Sequence, residues 1–432
     1  MRILSTDEAA FEDTFSQIRN RGKIFDQKIW ETVKNIVDDV AARGDEALFA
    51  HTKALDGYQL TTRNAAVSPE EIEDAILRIP PQDYAILKLA AERIEKFHRK
   101  QHLEDWFYTD EDGTELGQRV LPLERVGIYT PGGLASYPST VIMASVPAQI
   151  AGVREIILVT PSKDAKVNPL IAAAAKLCGI TKVFKIGGAQ AIAALAYGTE
   201  TIPKVDKIVG PGNAYVTAAK KMVYGQVAID MLAGPSEVLI IADTTADASF
   251  IAADMLSQAE HDEMASAICV TPDKNLAKEV ASEMETQLAG LKRNAIAACA
   301  LKDFGAIIVT KDMDEAVSVV DRFAPEHLEL MVGNPRELLA KIKHAGAVFL
   351  GNNTPEAIGD YIAGPNHILP TGGTARFSSP LGVYDFVKRS SVLFFSSESL
   401  RKYGKQAARF AEMEGLEAHC RSIEKRLSRK KS

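Results

Sequence analysis

The sequence feature that most constrains the fold is an alternation of strand-like and helix-like segments that begins near residue 125. Short apolar runs at 155–160 and 182–186 have the length of buried strands, and an alanine-rich run at 169–178 between them has the length of a helix. Such alternation is typical of βαβ units around a parallel sheet. The sequence therefore predicts an α/β protein.

A second series of the same kind begins near Ser236, with a strand-like run at 237–242. Segments with helical spacing precede the first series and follow the second. We predict two Rossmann-like parallel-sheet α/β domains with an N-terminal helical segment and a C-terminal helical arm. The predicted ranges are 1–25 for the N-terminal segment, 26–125 with 237–378 for the first α/β domain, 126–236 for the second, and 379–432 for the arm.

Composition argues against several classes of partner. The chain has 57 acidic and 50 basic residues and a net charge of −7, whereas proteins that bind nucleic acid usually present a broad basic surface. A basic run at 421–431 contains Glu424, and we interpret it as a solvated face. No nucleic-acid partner is expected.

Targeting signals and cysteines both point to the cytoplasm. The N-terminus lacks the basic head and apolar run of a signal peptide. No stretch approaches the roughly 18 uninterrupted apolar residues of a membrane span. Four scattered cysteines form no CxxC pair and are interpreted as reduced structural thiols. We therefore expect a cytoplasmic protein without a membrane partner or a cysteine nucleophile.

Glycine-rich turns follow three of the predicted strands. Their sequences are Thr130-Pro-Gly-Gly, Gly187-Gly-Ala-Gln and Gly210-Pro-Gly-Asn. Glycine lets a ligand approach the backbone, and the following helix N-terminus favours phosphate groups. None of the turns has the GxGxxG pattern of dinucleotide-binding proteins. The turns are thus compatible with a nucleotide, but simple packing turns explain them equally well.

Two pairs of polar residues are candidates for a site. Gln258 and His261 are three positions apart on a predicted helix and share one face, although Gln is an unusual zinc ligand and a solvated edge is the commoner explanation. Glu326 and His327 open a predicted strand, where neighbouring side chains point to opposite sides. Histidine is suited to accept a proton near neutral pH. On spacing alone, catalysis and a structural role are equally good explanations of the second pair.

Two further segments contain ionisable residues. The Gly-, Pro- and Asn-rich stretch 351–373 includes Asp360 and His367, and such loops often carry function. In the arm, Glu414 and His419 flank Gly415, and they would lie on different helix faces unless Gly415 ends the helix. Spacing alone favours a solvated helix for this pair.

In their order and spacing, these motifs together resemble those of the histidinol dehydrogenase family. The resemblance rests on the stretch from Ile229 through Ala233-Gly-Pro-Ser-Glu to Glu260-His261, on Arg322-Phe-Ala-Pro-Glu-His-Leu-Glu, on the segment 351–373, and on Glu412-Met-Glu-Gly-Leu-Glu-Ala-His. It extends from near the N-terminus to about Ile423.

The resemblance implies a ligand for each region. It implies zinc bound by Gln258, His261, Asp360 and His419, and NAD near Tyr129, Gln190 and Asn213. The first α/β domain would then hold the metal and catalytic residues, and the second would bind NAD. The arm would mediate a homodimer and complete the partner's site. The positions that the family uses for L-histidinol correspond to Ser236, Gln258, His261, Glu326, His327, Asp360, His367, Glu414 and His419.

The resemblance also implies a reaction, the last steps of histidine biosynthesis. Zinc would orient the imidazole and amine of L-histidinol. His327 would remove the alcohol proton while hydride passes to NAD, and Glu326 would activate water to form the hydrate of L-histidinaldehyde. A second NAD would oxidise this hydrate to L-histidine. Holding the aldehyde between steps would protect a reactive intermediate.

Three alternatives are weighed against this interpretation. A dehydrogenase for another polar alcohol would not need both His367 and Glu414. A metal-dependent binding protein would not need both Glu326 and His327. An aldehyde dehydrogenase with a cysteine nucleophile would need a suitably placed thiol, which the sequence lacks. Metal content and NADH production together separate these classes.

Overall fold

The computed structural model describes residues 1–22, 27–132, 137–162 and 166–428. In this part of the chain the strands form two parallel sheets and one antiparallel sheet. The predicted α/β class with parallel sheets is therefore confirmed. Gly133 of the predicted Thr130-Pro-Gly-Gly turn lies outside the described residues, as do residues 429–431 of the basic run.

The larger parallel sheet carries the second predicted series of strands. Its order from edge to edge is β1 (Ile3–Ser5), β11 (Ala306–Val309), β10 (Ser266–Thr271), β9 (Glu237–Ala242), β12 (His327–Met331) and β13 (Ala347–Leu350). Strands β9 and β12 are neighbours, with Val238 opposite His327. The first residues of these two strands therefore lie side by side at the amino-terminal end of the sheet.

Helices cover both faces of the larger sheet. The residues of its central strands are therefore buried on either side. Val238 and Ile240 belong to the core on one face, and Leu239 and Ile241 belong to the core on the other. The first core includes residues of α10 (Ala248–Ala259), α11 (Lys274–Leu288) and α12 (Asn294–Phe304), and the second includes residues of α1 (Phe11–Asn20) and α13 (Met313–Phe323). Two short helices, α14 (Pro335–Leu339) and α15 (Glu356–Tyr361), follow β12 and β13. Asp247 is the N-cap of α10, since its side chain accepts a hydrogen bond from the Ser249 backbone N at 2.8 Å.

The smaller parallel sheet carries the first predicted series. Its order is β6 (Lys182–Phe184), β5 (Glu155–Val159), β4 (Arg125–Tyr129), β7 (Lys207–Val209) and β8 (Ala228–Ile229). Its core includes residues of α2 (Gln27–Arg43), α3 (Asp45–Asp56), α8 (Gly188–Tyr197) and α9 (Ala214–Val223). The remaining helices of this region are α4 (Pro69–Ile76), α5 (Pro81–His98), α6 (Pro138–Ala151) and α7 (Pro169–Leu177).

A second compact unit comprises residues 102–122 and the described residues from 387 onward, and all elements above belong to the first unit. It contains the antiparallel sheet, in the order β14 (Val387–Phe394), β3 (Glu115–Pro122) and β2 (Trp106–Thr109), and the helices α16 (Ser397–Met413) and α17 (Glu417–Leu427). Buried Asp112 links residues 102–122 to α16, because its side chain accepts hydrogen bonds from Ser399 at 3.2 Å and from Lys402 at 3.0 Å.

Five of the described strands were not predicted from the sequence, namely β1, β2, β3, β8 and β14. Strand β1 lies within the predicted N-terminal helical segment, and its three residues are too few to show a period. Strand β14 lies at the start of the predicted helical arm, where mostly exposed residues give no alternation of apolar and polar positions. The four domain ranges stay a prediction. No helix among the described residues is long and apolar enough to cross a membrane.

Candidate active site

The first group of candidate residues lies where β9 and β12 begin. Glu237 and Glu326 occupy neighbouring positions there, and each carboxylate accepts a hydrogen bond from the other's backbone N. The Glu237 N to Glu326 Oε2 distance is 2.9 Å, and the Glu326 N to Glu237 Oε2 distance is 3.2 Å. Side-chain oxygens thus replace ladder bonds at the amino-terminal edge of the sheet. Ser236, half-buried, precedes Glu237, and its carbonyl accepts a hydrogen bond from Ser266 N at 3.0 Å.

The ring of His327 is fixed by the backbone of Glu237. His327 Nδ1 lies 2.9 Å from the Glu237 carbonyl oxygen. A carbonyl can only accept, so Nδ1 carries a proton and Nε2 is the nitrogen that can take one up. Nε2 is buried, has no hydrogen-bond partner in the part of the chain that the structure describes, and lies 3.7 Å from Asp360 Oδ1. His327 therefore directs a basic nitrogen towards Asp360.

Electrostatics at this edge depend on burial and on opposite charges held together. Burial alone would lower the pKa of His327, but the nearby carboxylates of Glu326 and Asp360 outweigh it and raise this pKa to about 10. Burial raises the pKa of the Glu326 carboxyl to about 8, although the nearby His327 opposes the rise. The pKa of Glu326 is thus displaced towards the range in which proton transfer near neutral pH is efficient, as is common at active sites, whereas the pKa of His327 is displaced above that range.

A candidate metal centre lies beside these residues. Ligand atoms of His261, Glu356 and Asp360 lie within 4.8 Å of one another. Burial lowers the pKa of His261, which favours the neutral imidazole that binds metals. Gln258 is 1 % exposed, and its buried Oε1 has no hydrogen-bond partner among the residues that the structure describes. An imidazole, two carboxylates and an unsatisfied amide oxygen form a donor set that fits a divalent cation.

Sequence reasoning missed Glu356. This residue opens α15, is 2 % exposed, and its Oε2 accepts a hydrogen bond from Ser257 Oγ at 3.0 Å. A signal was present, because Glu356 and Asp360 are four positions apart and share a face of a helix. The helix is short and follows Thr354-Pro355, so the segment resembled a loop.

His367 lies near the candidate metal centre. Its buried Nε2 has no hydrogen-bond partner among the described residues. Burial lowers the pKa of His367, while the charge of Asp360 acts in the opposite direction. A cavity of about 330 Å³ opens next to His261, and Tyr137, Glu260 and Tyr361 are among its lining residues. Its volume is that of a small-molecule site.

The second group of candidate residues lies at the carboxyl ends of the strands in the smaller sheet. Tyr129 ends β4, and its hydroxyl accepts a hydrogen bond from Gly188 N at 3.2 Å. Gln190, in the first turn of α8, is fully buried, and neither its amide N nor its amide O has a hydrogen-bond partner within the described ranges. Asn213 is exposed and caps α9 by accepting from Tyr215 N and Val216 N, both at 3.1 Å.

Close backbone approaches explain the glycines of this region. Gly210 has φ +113°, and a Cβ there would lie 2.1 Å from the Tyr129 carbonyl oxygen. Gly188 has φ +65°, and a Cβ there would lie 2.6 Å from Gln190 Oε1. The carboxyl edge of a parallel sheet with such turns is the usual place for a nucleotide. The unsatisfied amide of Gln190 fits a polar ligand there.

Comparison with known proteins identifies the family. The histidinol dehydrogenase family profile matches residues 19–427. A histidinol dehydrogenase from Syntrophotalea carbinolica is 54 % identical over 99 % of both chains, and one from Aquifex aeolicus is 52 % identical over 99 % of both. The crystal structure of histidinol dehydrogenase from Elizabethkingia anophelis superposes with a TM-score of 0.93 at 39 % identity, covering 99 % of this chain and 98 % of that one. The chain belongs to the histidinol dehydrogenase family.

The family assignment confirms the resemblance drawn from the motifs and makes the chain an oxidoreductase. Of the residues that the resemblance to histidinol dehydrogenases implies, those at the edge of the larger sheet are connected by contacts or charge. Asp360 lies 3.7 Å from His327 and interacts electrostatically with His261 and His367. Gln258 lies in the last turn of α10, whereas His261 follows the end of this helix and its backbone N donates to the Gln258 carbonyl at 3.2 Å. The prediction that both residues lie on one helix is therefore wrong for His261, although the turn keeps the two residues close. The role of each residue stays a prediction.

Two residues of the predicted histidinol dehydrogenase site lie in the second unit. Glu414 caps the end of α16, and His419 lies near the start of α17. Gly415 between them has φ +75° and breaks the helix, which was the condition for the two side chains to share a direction. Both residues are exposed. Their part in a metal or substrate site stays a prediction.

Proposed function

We propose that this protein oxidises L-histidinol to L-histidine through L-histidinaldehyde, in two NAD-dependent steps that require zinc. Its relatives at about half identity are named histidinol dehydrogenases. The observation that carries the proposal is the buried pair Glu326 and His327, with Nε2 of His327 directed towards Asp360 of the candidate metal centre. A location in the cytoplasm stays a prediction.

Gln258, His261 and Asp360 would hold the metal, together with His419. Glu356 is a further candidate, because its carboxylate oxygen lies within 4.8 Å of the ligand atoms of His261 and Asp360. Bound zinc supplies a positive centre that orients the imidazole and amine of the substrate. His367 has an unsatisfied Nε2 beside this group and is suited to contact the same substrate.

His327 would act in the first oxidation. Its Nδ1 is held protonated by the Glu237 carbonyl, so Nε2 of the neutral imidazole would accept the proton of the substrate hydroxyl. A cation bound to Asp360 would offset the carboxylate charge that raises the pKa of His327 and would so favour this neutral form. NAD, when bound, accepts the hydride in each oxidation. Tyr129, Gln190 and Asn213 are the candidates to hold it, and the unsatisfied Gln190 amide supports this position.

Glu326 would act in the second oxidation. In its ionised form it accepts a proton from a water molecule, which adds to the aldehyde carbon and gives the hydrate that is then oxidised. A thioester route would need a reactive thiolate instead. Burial raises the pKa of both Cys178 and Cys269 to about 12, so these thiols stay protonated.

We further propose a homodimer in which the arm completes the partner's site. The second unit exposes large apolar side chains on its strands and on α16, among them Trp106, Phe107, Leu393, Phe410 and Met413. Clustered exposed apolar residues of this kind are typical of protein interfaces. A mixture of the Glu326→Gln and His419→Ala variants tests the arrangement. If His419 acts in the partner's site, reassembled heterodimers contain one intact site and regain oxidation of L-histidinaldehyde, which neither variant carries out alone. If it acts in its own site, mixing restores nothing.

The reaction itself is tested by counting NADH formed per L-histidinol consumed, with zinc-loaded and with chelator-stripped protein. Two NADH with zinc and none without it support the proposal. One NADH would indicate an alcohol dehydrogenase that releases aldehyde, and the role of Glu326 would be wrong. No NADH from folded, zinc-loaded protein would refute histidinol as the substrate.

A further inference from the structure

A buried ion pair lies directly behind the two proposed catalytic residues. Arg21 Nη2 lies 3.2 Å from Glu237 Oε1, and the two side chains are 1 % and 2 % exposed. Arg21 follows the last residue of α1, and Glu237 is the first residue of β9. Neither side chain has a part in the reaction proposed above.

The carboxylate of Glu237 is held from several sides. Its Oε2 accepts a hydrogen bond from Glu326 N, and its Oε1 accepts one from Gly372 N at 3.1 Å. Glu326 returns the contact by accepting from Glu237 N. The two carboxylates and two backbone amides therefore form a closed reciprocal pair, in which the direction of the Glu326 side chain depends on that of Glu237.

Arg21 is suited to keep Glu237 in this position. Its Nε donates to the Met264 carbonyl at 2.8 Å, its Nη1 to the Ile18 carbonyl at 3.0 Å, and its Nη2 to the Ser236 carbonyl at 3.2 Å. These acceptors occupy the planar set of donors that only a guanidinium provides. Among the described residues, the same cation is the opposite charge in direct contact with the buried Glu237 carboxylate.

The chain next to Arg21 is also fitted to this position. Gly22 has φ +69°, and a Cβ there would lie 2.8 Å from Pro235 Cδ. The end of α1 thus lies against the residues that lead into β9. The guanidinium is fixed at this place by both its hydrogen bonds and its backbone.

Glu237 contacts the two catalytic residues through different atoms. Its side chain holds Glu326, whereas its backbone carbonyl holds His327. A change of the Glu237 side chain therefore disturbs Glu326 and leaves the carbonyl that fixes the His327 ring. We infer that Arg21 and Glu237 are positioning residues for the oxidation of the aldehyde, with Arg21 holding Glu237 and Glu237 directing Glu326. This inference rests on the proposed function.

The test compares the two half-reactions in the zinc-loaded protein. In Glu237→Gln the remaining side-chain oxygen can still accept a hydrogen bond. The other oxygen is replaced by an NH₂ group, which cannot accept from the N–H donors or the Arg21 guanidinium that face it. We expect the kcat for L-histidinaldehyde to fall roughly 10- to 100-fold, as for other partners that orient a functional group. The kcat for oxidation of L-histidinol to the aldehyde should fall much less. The ratio of the aldehyde kcat to the alcohol kcat would therefore fall, as in Glu326→Gln. General loosening of the fold would lower both kcat values and leave this ratio unchanged.

Two further variants complete the design. Arg21→Lys keeps the positive charge but loses the planar set of guanidinium donors. It should lower the ratio of the aldehyde kcat to the alcohol kcat by a smaller factor than Glu237→Gln. It decides the question alone if Glu237→Gln does not fold. Glu12→Gln is the matched control, because Glu12 lies on α1 and its Oε2 pairs with Arg322 Nη2 at 2.5 Å on the exposed surface. Its ratio should equal that of the wild type.

The outcomes separate the inference from the proposed function. If the wild type forms no NADH from L-histidinol, the proposed function fails. If the wild type is active but the substitutions lower both half-reactions by one factor, or lower neither, the positioning role is refuted.

Discussion

Replacing Glu326 by Gln should impair oxidation of the aldehyde far more than oxidation of the alcohol. The amide oxygen of Gln can still accept the hydrogen bond from Glu237 N, which is 2.9 Å long with the native residue. Shape and burial are retained, so the variant should fold. The lost property is basicity, which the proposed mechanism uses in the hydration step.

The magnitude follows from the role of a general base. Such a group contributes roughly 10²- to 10⁴-fold to a rate, or about 3 to 5 kcal/mol of activation free energy. Burial raises the pKa of the Glu326 carboxyl to about 8, so its basic form is a minority at neutral pH. Below that pKa, the ionised fraction rises roughly tenfold per pH unit. Oxidation of the aldehyde by the wild type should therefore increase with pH up to about 8 and then level, and the variant should lose this rise.

The assay measures NADH formed from L-histidinaldehyde and from L-histidinol over a range of pH, with zinc-loaded wild type and variant. Metal content and a thermal unfolding curve control for loss of zinc or fold. Equal loss in both half-reactions would refute the division of roles between Glu326 and His327. A variant that keeps the rise with pH would show that another group is the base.

Three other predictions concern the ligands. Glu356→Gln should weaken zinc binding by roughly 10- to 100-fold, measured as zinc retained against a chelator, whereas Glu337→Gln on the surface should not; equal retention would exclude Glu356 from the metal set. Removing zinc should abolish binding of L-histidinol, measured by calorimetry, and unchanged binding would contradict the metal's orienting role. Gln190→Ala should weaken NAD binding in the same assay by roughly tenfold, because loss of one hydrogen bond costs about 1 kcal/mol or more, and unchanged affinity would place NAD elsewhere.

Much of the fold could be predicted, because the strands of the parallel sheets are short apolar runs between glycine turns. The predicted strand at 237–242 matches β9 residue for residue. Strand β14 could not be predicted, because its pairing with β3 leaves most of its side chains exposed and gives no pattern. Its stability comes from long-range hydrogen bonds, which a local pattern does not report.

The site was harder to predict than the fold. Gln258 and His261 could be paired from helical spacing, but nothing in the sequence indicated that Asp360, about a hundred residues later, would lie near them. Family resemblance supplied that link. Glu356 and the ion pair of Arg21 with Glu237 were missed, since the first is on a short helix that resembled a loop and the second joins distant parts of the chain.

The larger sheet holds its candidate catalytic residues at the amino ends of its strands, and this leaves its opposite end open to engineering. The turn between β9 and α10 is on that opposite end, and Thr244 and Thr245 at its tip are exposed. A fluorescent label or a purification tag inserted there would be separated from Glu326 and His327 by the length of β9. The protein could thus be immobilised or followed in real time without altering the chemistry it is proposed to perform.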